Sequence, residues 1–225
     1  MMALEPIWLT LKLALSTTII LFCLAIPLAN WLTVKKGPIQ IVIEAIVSLP
    51  LVLPPTVLGF YLLLLFSPNH AFGAFIERTF DLRLVFSFPG LLLASLLYSL
   101  PFMVHPIKSG LANLPVSLKE AAYSLGKSKR ATLIQVLLPN IKPALLTAIV
   151  LTFAHTIGEF GVVLMIGGNI PGKTKTASVA IYDAVETFDY ATANSYAAVL
   201  LGSSFVILVL LYTFNRRARK MATIY

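Results

Sequence analysis

The sequence predicts an all-α integral membrane protein, a single helical bundle over residues 1–225, and three observations carry that prediction. Of the 225 residues, 58% are hydrophobic and only 12% charged, with a mean hydropathy of +0.90, far from the balance of a soluble domain. The apolar residues gather into five runs, each near the roughly 20 residues that a helix needs to cross a hydrocarbon core. The lysines and arginines gather between those runs with a consistent alternation, which accounts for the net charge of +8 as a topological bias and leaves no need for a nucleic-acid partner. The lone cysteine, Cys23, lies inside an apolar run, so neither a disulfide nor a thiolate metal site is expected.

The first run, Trp8 to Leu32, has Trp8 and Trp31 near its ends as interfacial anchors, and Lys12 close enough to the outer end to snorkel. Its leading residues, MMALEPIW, lack a basic n-region, so the run is expected to be a retained helix. The second, Ile41 to Phe66, is interrupted by Pro50, Pro54 and Pro55. The third spans Leu84 to His105, the fourth begins near Pro143 and fades at Gly167, and the fifth spans Tyr196 to Phe214. Between the last two, Ala177, Ile181, Ala184, Val185 and Phe188 fall at helical spacing opposite Asp183, Glu186 and Asp189. That segment is too short and too charged to span, and predicts a short helix at the outer interface or against the bundle. No internal repeat or second domain is visible.

Orientation follows from the cations. Lys35 and Lys36, then Lys108, Lys119, Lys127, Lys129, Arg130 and Lys142, then Arg216, Arg217, Arg219 and Lys220 occupy alternate connections and so share one side. On the other side Arg78 and Arg83 are offset by Glu77 and Asp81. The lysine and arginine excess puts the first set in the cytoplasm, the N-terminus outside and the C-terminus inside.

Several residues within the spans stand out. Each proline of LPLVLPP removes a backbone donor, and irregular backbone survives at membrane depth only where protein or a water-filled cavity satisfies it. Pro54 and Pro55 therefore mark either a packing kink or a broken helix on a translocation path. In the fourth run Glu159 follows Pro143 by 16 residues, about 24 Å along a helix, in the outer part of a core about 30 Å thick. An ionisable group there must face the bundle, where it would accept hydrogen bonds or shape a gate. Gly158 and Gly161 beside it allow close backbone approach. His155, about 18 Å along the same helix, falls near the midplane, as an oxyanion donor or a satisfied bundle residue. No second histidine or cysteine stands at metal spacing, so no metal site is expected.

One motif is a decoy. GGNIPGKT (Gly167, Gly172, Lys173, Thr174) fits the phosphate-binding loop G-x4-G-K-[ST]. Such a loop needs ATP and a parallel sheet, whereas the charge pattern puts this segment outside. No catalytic residue or cofactor is expected.

The stretch EAAYSLGKSKRATLIQVLLP, from Glu120 to Pro139, is polar and basic in a hydrocarbon-rich chain. Ala121 and Ala122 are small enough to admit a neighbour, Gly126 permits a sharp corner and Pro139 marks a restart. These residues at this spacing resemble the EAA loop of bacterial ABC importer permeases, which docks on a separate ATPase subunit. The resemblance makes residues 107–142 a cytoplasmic coupling loop, with Glu120, Ala121, Ala122 and Gly126 as the ATPase-coupling residues.

LPLVLPP in the second run, and GEFG with GGNIPGKTKT in and after the fourth, narrow the resemblance to the molybdate transport permease family, with sulfate and tungstate permeases as near relatives. Where members often carry arginine four residues before the GEFG glutamate, this chain has His155. The resemblance implies a bacterial inner-membrane permease of five or six helices, paired with a second copy of itself along the substrate path, without an ATPase site of its own. Its implied partners are an ATPase dimer, a periplasmic oxyanion-binding protein, membrane lipid and molybdate as cargo, moved by alternating access. Pro54, Pro55, His155, Gly158, Glu159 and Gly161 are the residues expected at the path or gate. The competing reading, an ATP-independent secondary transporter, requires acid–base pairs inside the spans, and Glu159 is the one acid assigned there.

Overall fold

The structure, a computed structural model, describes residues 3–34 and 37–222, with side chains through Thr213. Lys35, Lys36 and the side chains of the tail cations, on which part of the predicted orientation rests, lie outside the described residues. Among the described residues the regular structure is all helical.

Helices α1 (Glu5–Val34), α5 (Phe88–Ala112) and α9 (Lys142–Gly158) pack together as the centre of the bundle. Two apolar clusters fill it. One, at the end where α5 begins, is built on Leu13, Leu91, Ala94 and Val162; the other, where α5 ends, on Leu21, Ala25, Met103 and Ile107. Between them lies a belt of buried hydroxyls: Thr17 of α1, Ser95 and Ser99 of α5, Thr152 and Thr156 of α9. Ser99 and Thr156 bond to each other at 3.0 Å, and Thr156 also donates to the Thr152 carbonyl at 2.9 Å, the local satisfaction available to a hydroxyl in a helix.

The second apolar run is two helices, α2 (Pro38–Val52) and α3 (Pro55–Phe66), bent by 116°. The reason is local. Pro54 drives Leu53 out of the helical region (ψ 136°), and Pro55 holds Pro54 in the same extended form (ψ 137°). Pro55 then starts α3 at the position where a missing N–H costs nothing. A short helix, α4 (Ala71–Phe80), follows α3.

Among the described residues three helices are long and apolar enough to cross a membrane: α1, α5 and the Tyr190–Thr213 part of α12 (Tyr190–Ala222). Two bent pairs raise the number to five: α2 with α3, and the segment Lys129–Asn140 with α9, bent by 81°. The predicted count of five is reached only if each bent pair is one span, and the fourth is composed differently, since its first half, Lys129–Asn140, falls in the stretch expected as a loop. The expected continuous helix from Pro143 to Gly167 stops at Gly158 and resumes as α10 (Gly161–Gly167), because Glu159 is extended (ψ 131°). The third span also sits further along than predicted, carrying Pro101 and Pro106 inside it. The short amphipathic helix is α11 (Ala177–Glu186), which starts at the expected Ala177 but ends before Phe188, with Ala177, Val179, Ala180 and Ala184 buried.

Between α5 and α9 come α6 (Val116–Ser124), α7 (Lys129–Thr132), a π turn at Leu133–Leu137 and α8 (Leu138–Asn140). Residues 107–112 still belong to α5, so the chain leaves the bundle at Asn113. The π turn has a cause in the sequence: Pro139 cannot donate to the Gln135 carbonyl and its ring would crowd it, so the preceding turn widens.

Candidate translocation site and coupling segment

The two helix breaks meet. Proline-broken α2–α3 brings the start of α3 against the start of α10, and a Cβ placed on Gly161 would stand 2.8 Å from the Cβ of Pro55. Gly161 is therefore the residue that lets the breaks touch. Beside the contact opens a cavity of about 590 Å³, onto which Pro55, His155, Gly158, Glu159 and Gly161 all face. Five of the six residues expected at the path are thus brought together. The sixth, Pro54, is exposed and does not line the cavity.

Glu159 is buried, 7% exposed. Its Oε1 accepts the Val162 N–H at 2.8 Å, so the carboxylate satisfies one of the donors left open where α10 starts. The Ser178 hydroxyl of α11 donates to the Glu159 carbonyl at 2.5 Å, tying the break to the amphipathic helix. His155 is held by rings: Phe102 stacks on it with centroids 3.9 Å apart, and Tyr98 lies at 4.8 Å. Its Nε2 is buried without a hydrogen-bond partner. Gly158 differs from its expected role. It is exposed, and nothing lies within 4 Å of a Cβ placed there, so it makes no close approach within the chain.

Tyr98 and Thr56 also line the cavity and were not anticipated. Tyr98 hides in the apolar run LLLASLLYSL, and the readable signal is Ser95, Tyr98, Ser99 and Phe102 falling on one helical face. Chemically the cavity offers hydroxyls, an imidazole and backbone at two broken helices. Among the described residues that line it, none is a lysine or arginine.

The residues expected to couple to an ATPase form a compact corner. The Gly126 N–H donates to the Tyr123 carbonyl at 2.9 Å and the Lys127 N–H to the Ala122 carbonyl at 3.1 Å, a Schellman end to α6 with Gly126 at φ +74°. Ser128 then caps α7 by accepting from the Ala131 N–H at 3.2 Å. Lys127 Nζ donates to Gln135 Oε1 at 2.6 Å across the corner. Glu120, Ala121 and Gly126 are exposed, whereas Ala122 is 4% exposed and packs inward. Of the two alanines, Ala121 is the one open to a partner.

A second polar site escaped the sequence reading. Glu44 of α2 pairs with Lys108 of α5, and one turn along α2 Ser48 bonds His105 Nε2 at 3.1 Å. Glu159 is therefore accompanied by a second acid in the apolar runs, and Lys108 belongs to a span rather than to a free loop. Before the phosphate-loop decoy the chain is helix α10, where such a loop would need a strand. Thr174, 0% exposed, donates to the Gly167 carbonyl at 2.6 Å and accepts from the Ile170 N–H at 3.1 Å, so its hydroxyl is consumed by the loop.

Residues 21–220 match the family described as binding-protein-dependent transport system inner membrane component. The molybdenum transport system permease protein ModB of Azotobacter vinelandii is 44% identical over 213 residues, covering 95% of this chain and 94% of that protein. The sulfate transport system permease protein CysT of Salmonella typhimurium is 34% identical, covering 83% of this chain and 67% of that protein. A solved bacterial alginate ABC transporter, in complex with an alginate pentasaccharide-bound periplasmic protein, has a chain that superposes with a TM-score of 0.77 at 17% identity, over 96% of this chain and 78% of that one. With a family match over most of its length and relatives of this identity, the chain belongs to the binding-protein-dependent transport system inner membrane components, the permease subunits of ABC importers.

Proposed function

We propose that this permease conducts molybdate across a bacterial inner membrane, and that the cavity at the meeting of the two helix breaks lies on the path. The observation carrying the reading is that convergence: Pro55, His155, Glu159 and Gly161 come from runs far apart in sequence yet face one cavity. The 44% identity with a molybdenum permease supports molybdate over the sulfate cargo of the 34% relative. A cavity lined by Tyr98, Thr56 and His155 recognises an oxyanion by neutral hydrogen-bond donors, which hold a hydrated anion weakly enough to release it.

In this reading the segment 113–141 is cytoplasmic and Glu120, Ala121, Ala122 and Gly126 transmit the ATPase cycle. Binding of ATP by two partner subunits draws the paired corners of two permease copies together and opens the path to the periplasm, where a binding protein delivers the anion. Hydrolysis separates the corners and opens it inward. This is a coupling free energy carried by a two-state element.

The test is uptake of labelled molybdate by cells lacking their own importer and expressing this chain with or without its candidate ATPase, with sulfate as competitor. Uptake that needs both subunits and resists excess sulfate is the expected result. Uptake abolished by sulfate would move the cargo to sulfate, and uptake without the ATPase would sink the coupling role.

A further inference from the structure

We propose that the groove between the end of α1 and the coupling segment is a binding site for an anionic phospholipid of the adjoining leaflet. Two adjoining cavities, of about 510 and 560 Å³, share Asn30, Val34, Lys119 and Leu137 and so form one groove. One wall is the last turns of α1 and the other is the end of α5 and its connection to α6, with α6, the start of α7 and the π turn.

The groove is graded as a lipid is graded. Lys119 and Asn30 line both cavities, Thr33 the first, and Lys129 the second. Among the described residues neither lysine takes part in an ion pair. The Lys119 ammonium sits 6.0 Å from the Tyr123 ring centroid, at the outer limit of a cation–π contact, which leaves its charge unneutralised. Glu120, the acid of α6, points to solvent and pairs with neither. Two unneutralised cations with the Asn30 side-chain amide match a phosphodiester; the Thr33 hydroxyl already donates to the Ala29 carbonyl at 2.8 Å. Beside the lysines, Trp31 and Tyr123 line the second cavity, the residue types that settle at headgroup depth. Beyond Pro27 the same stripe of α1 continues as Leu24, 57% exposed, and Ile20, an apolar track for an acyl chain.

The chemistry selects a lipid rather than free phosphate, because the cations open directly onto that apolar track and an aromatic belt, which an inorganic anion would leave unused. A lipid seated there touches α1 and the coupling segment together, so its occupancy would stiffen the joint through which the corner moves the bundle. The proposal rests on the wedge between these elements and is independent of which anion the permease carries.

The experiment uses the full-length chain purified in neutral detergent, with native mass spectrometry reading retained lipid after equilibration with phosphatidylglycerol or phosphatidylcholine. Wild type is expected to prefer phosphatidylglycerol on the order of thirtyfold, the combined pull of two lysines near an anionic group. Lys119→Gln with Lys129→Gln is expected to erase the preference, while Lys127→Gln with Arg130→Gln, the same charge loss outside the groove, retains it. A photoactivatable phosphatidylglycerol should label peptides spanning residues 27–34 and 119–129 in wild type, which tests the site even if the double variant fails to fold. Absence of preference in wild type, a preference kept by the groove variant, labelling elsewhere, or displacement by millimolar inorganic phosphate would each overturn the proposal. None of these outcomes bears on molybdate uptake, so the two readings fail separately.

Discussion

Glu159 closes the broken fourth span with its own side chain: its Oε1 lies 2.8 Å from the Val162 nitrogen, at the start of α10. The acid that looked from the sequence like a gate charge is first a helix cap, and its anchoring points α10 into the Gly161–Pro55 contact.

The cap leads to a paired prediction. Glu159→Ala should destabilise the purified protein by about 1 kcal/mol, the usual cost of losing a side-chain cap, and lower uptake, since α10 loses its anchor. Glu159→Gln keeps an acceptor oxygen and should recover most of the stability. Thermal unfolding of both variants checks this; equal losses would mean that the charge, rather than the cap, holds the break together.

Gly161→Ala and Gly158→Ala should separate close approach from mere smallness. A Cβ on Gly161 meets Pro55 at 2.8 Å, whereas one on Gly158 meets nothing within 4 Å. The first should cost about 1–3 kcal/mol by overpacking and impair uptake; the second should be neutral or slightly stabilising, as expected for alanine at a helix end. Equal effects in unfolding and uptake assays would refute the assignment of Gly161 as the contact.

Most of the span count was legible because apolar run length reports directly on crossing a membrane. The breaks were half legible: prolines announce themselves at Pro54 and Pro55, but GEFG alone does not state that the helix stops at Gly158, where the extended Glu159 is held by its own bond to Val162 and by one from Ser178 of another helix. His155, Glu159 and Gly161 could be placed by counting residues along a helix, whereas Tyr98 and Thr56 could not, because they reach the cavity only through packing of α3 and α5. The corner was the most legible part, since a glycine at positive φ and its flanking caps are local chemistry. Glu44 went unread because its partner, Lys108, lies 64 residues away.

At the corner, Gly126→Ala has room for its methyl group, since nothing lies within 4 Å, but not the backbone freedom for φ +74°. The strain should cost about 1 kcal/mol and speed amide exchange of Lys127, whose N–H bonds the Ala122 carbonyl, by about fivefold. Gly126→Asn, better suited to that conformation, should exchange more slowly than the alanine variant. Exchange unchanged in Gly126→Ala would show that the corner does not depend on glycine.

Outside the spans, Lys175 bonds Asp183 and so holds its carboxyl below the ordinary carboxylate range, with Asn169 adding a hydrogen bond at 3.0 Å. The sign follows. A carboxyl whose folded-state value is depressed contributes stability that is complete above its unfolded value, about 4, and is lost as pH falls through the folded-state value. The loop between α10 and α11 should therefore loosen only in acid, and Asp183→Asn should be less stable than wild type at neutral pH and flatter in its acid response. Because the pair is partly exposed, added salt should shrink the difference. Thermal unfolding between pH 3 and 7 with and without salt reads both effects.

The Glu44–Lys108 pair joins α2 to α5 with side chains 34% and 23% exposed. Much of α2 is otherwise open: Ile41, Val42, Ile46, Leu49 and Val52 are all exposed, and Val47 is the residue it buries. Its hold on the bundle therefore rests heavily on this pair and on the Ser48–His105 bond beside it. Removing one partner strands a charge in an apolar setting, whereas removing both strands none. Glu44→Ala and Lys108→Ala should each destabilise the protein by about 2–4 kcal/mol, toward the lower side of values for buried pairs, and the double variant should be less damaged than the sum of the two. A double-mutant cycle by thermal unfolding measures the difference. Additive losses would mean that α2 is held by its apolar contacts alone, and that the pair is an ornament of the fold rather than its fastening.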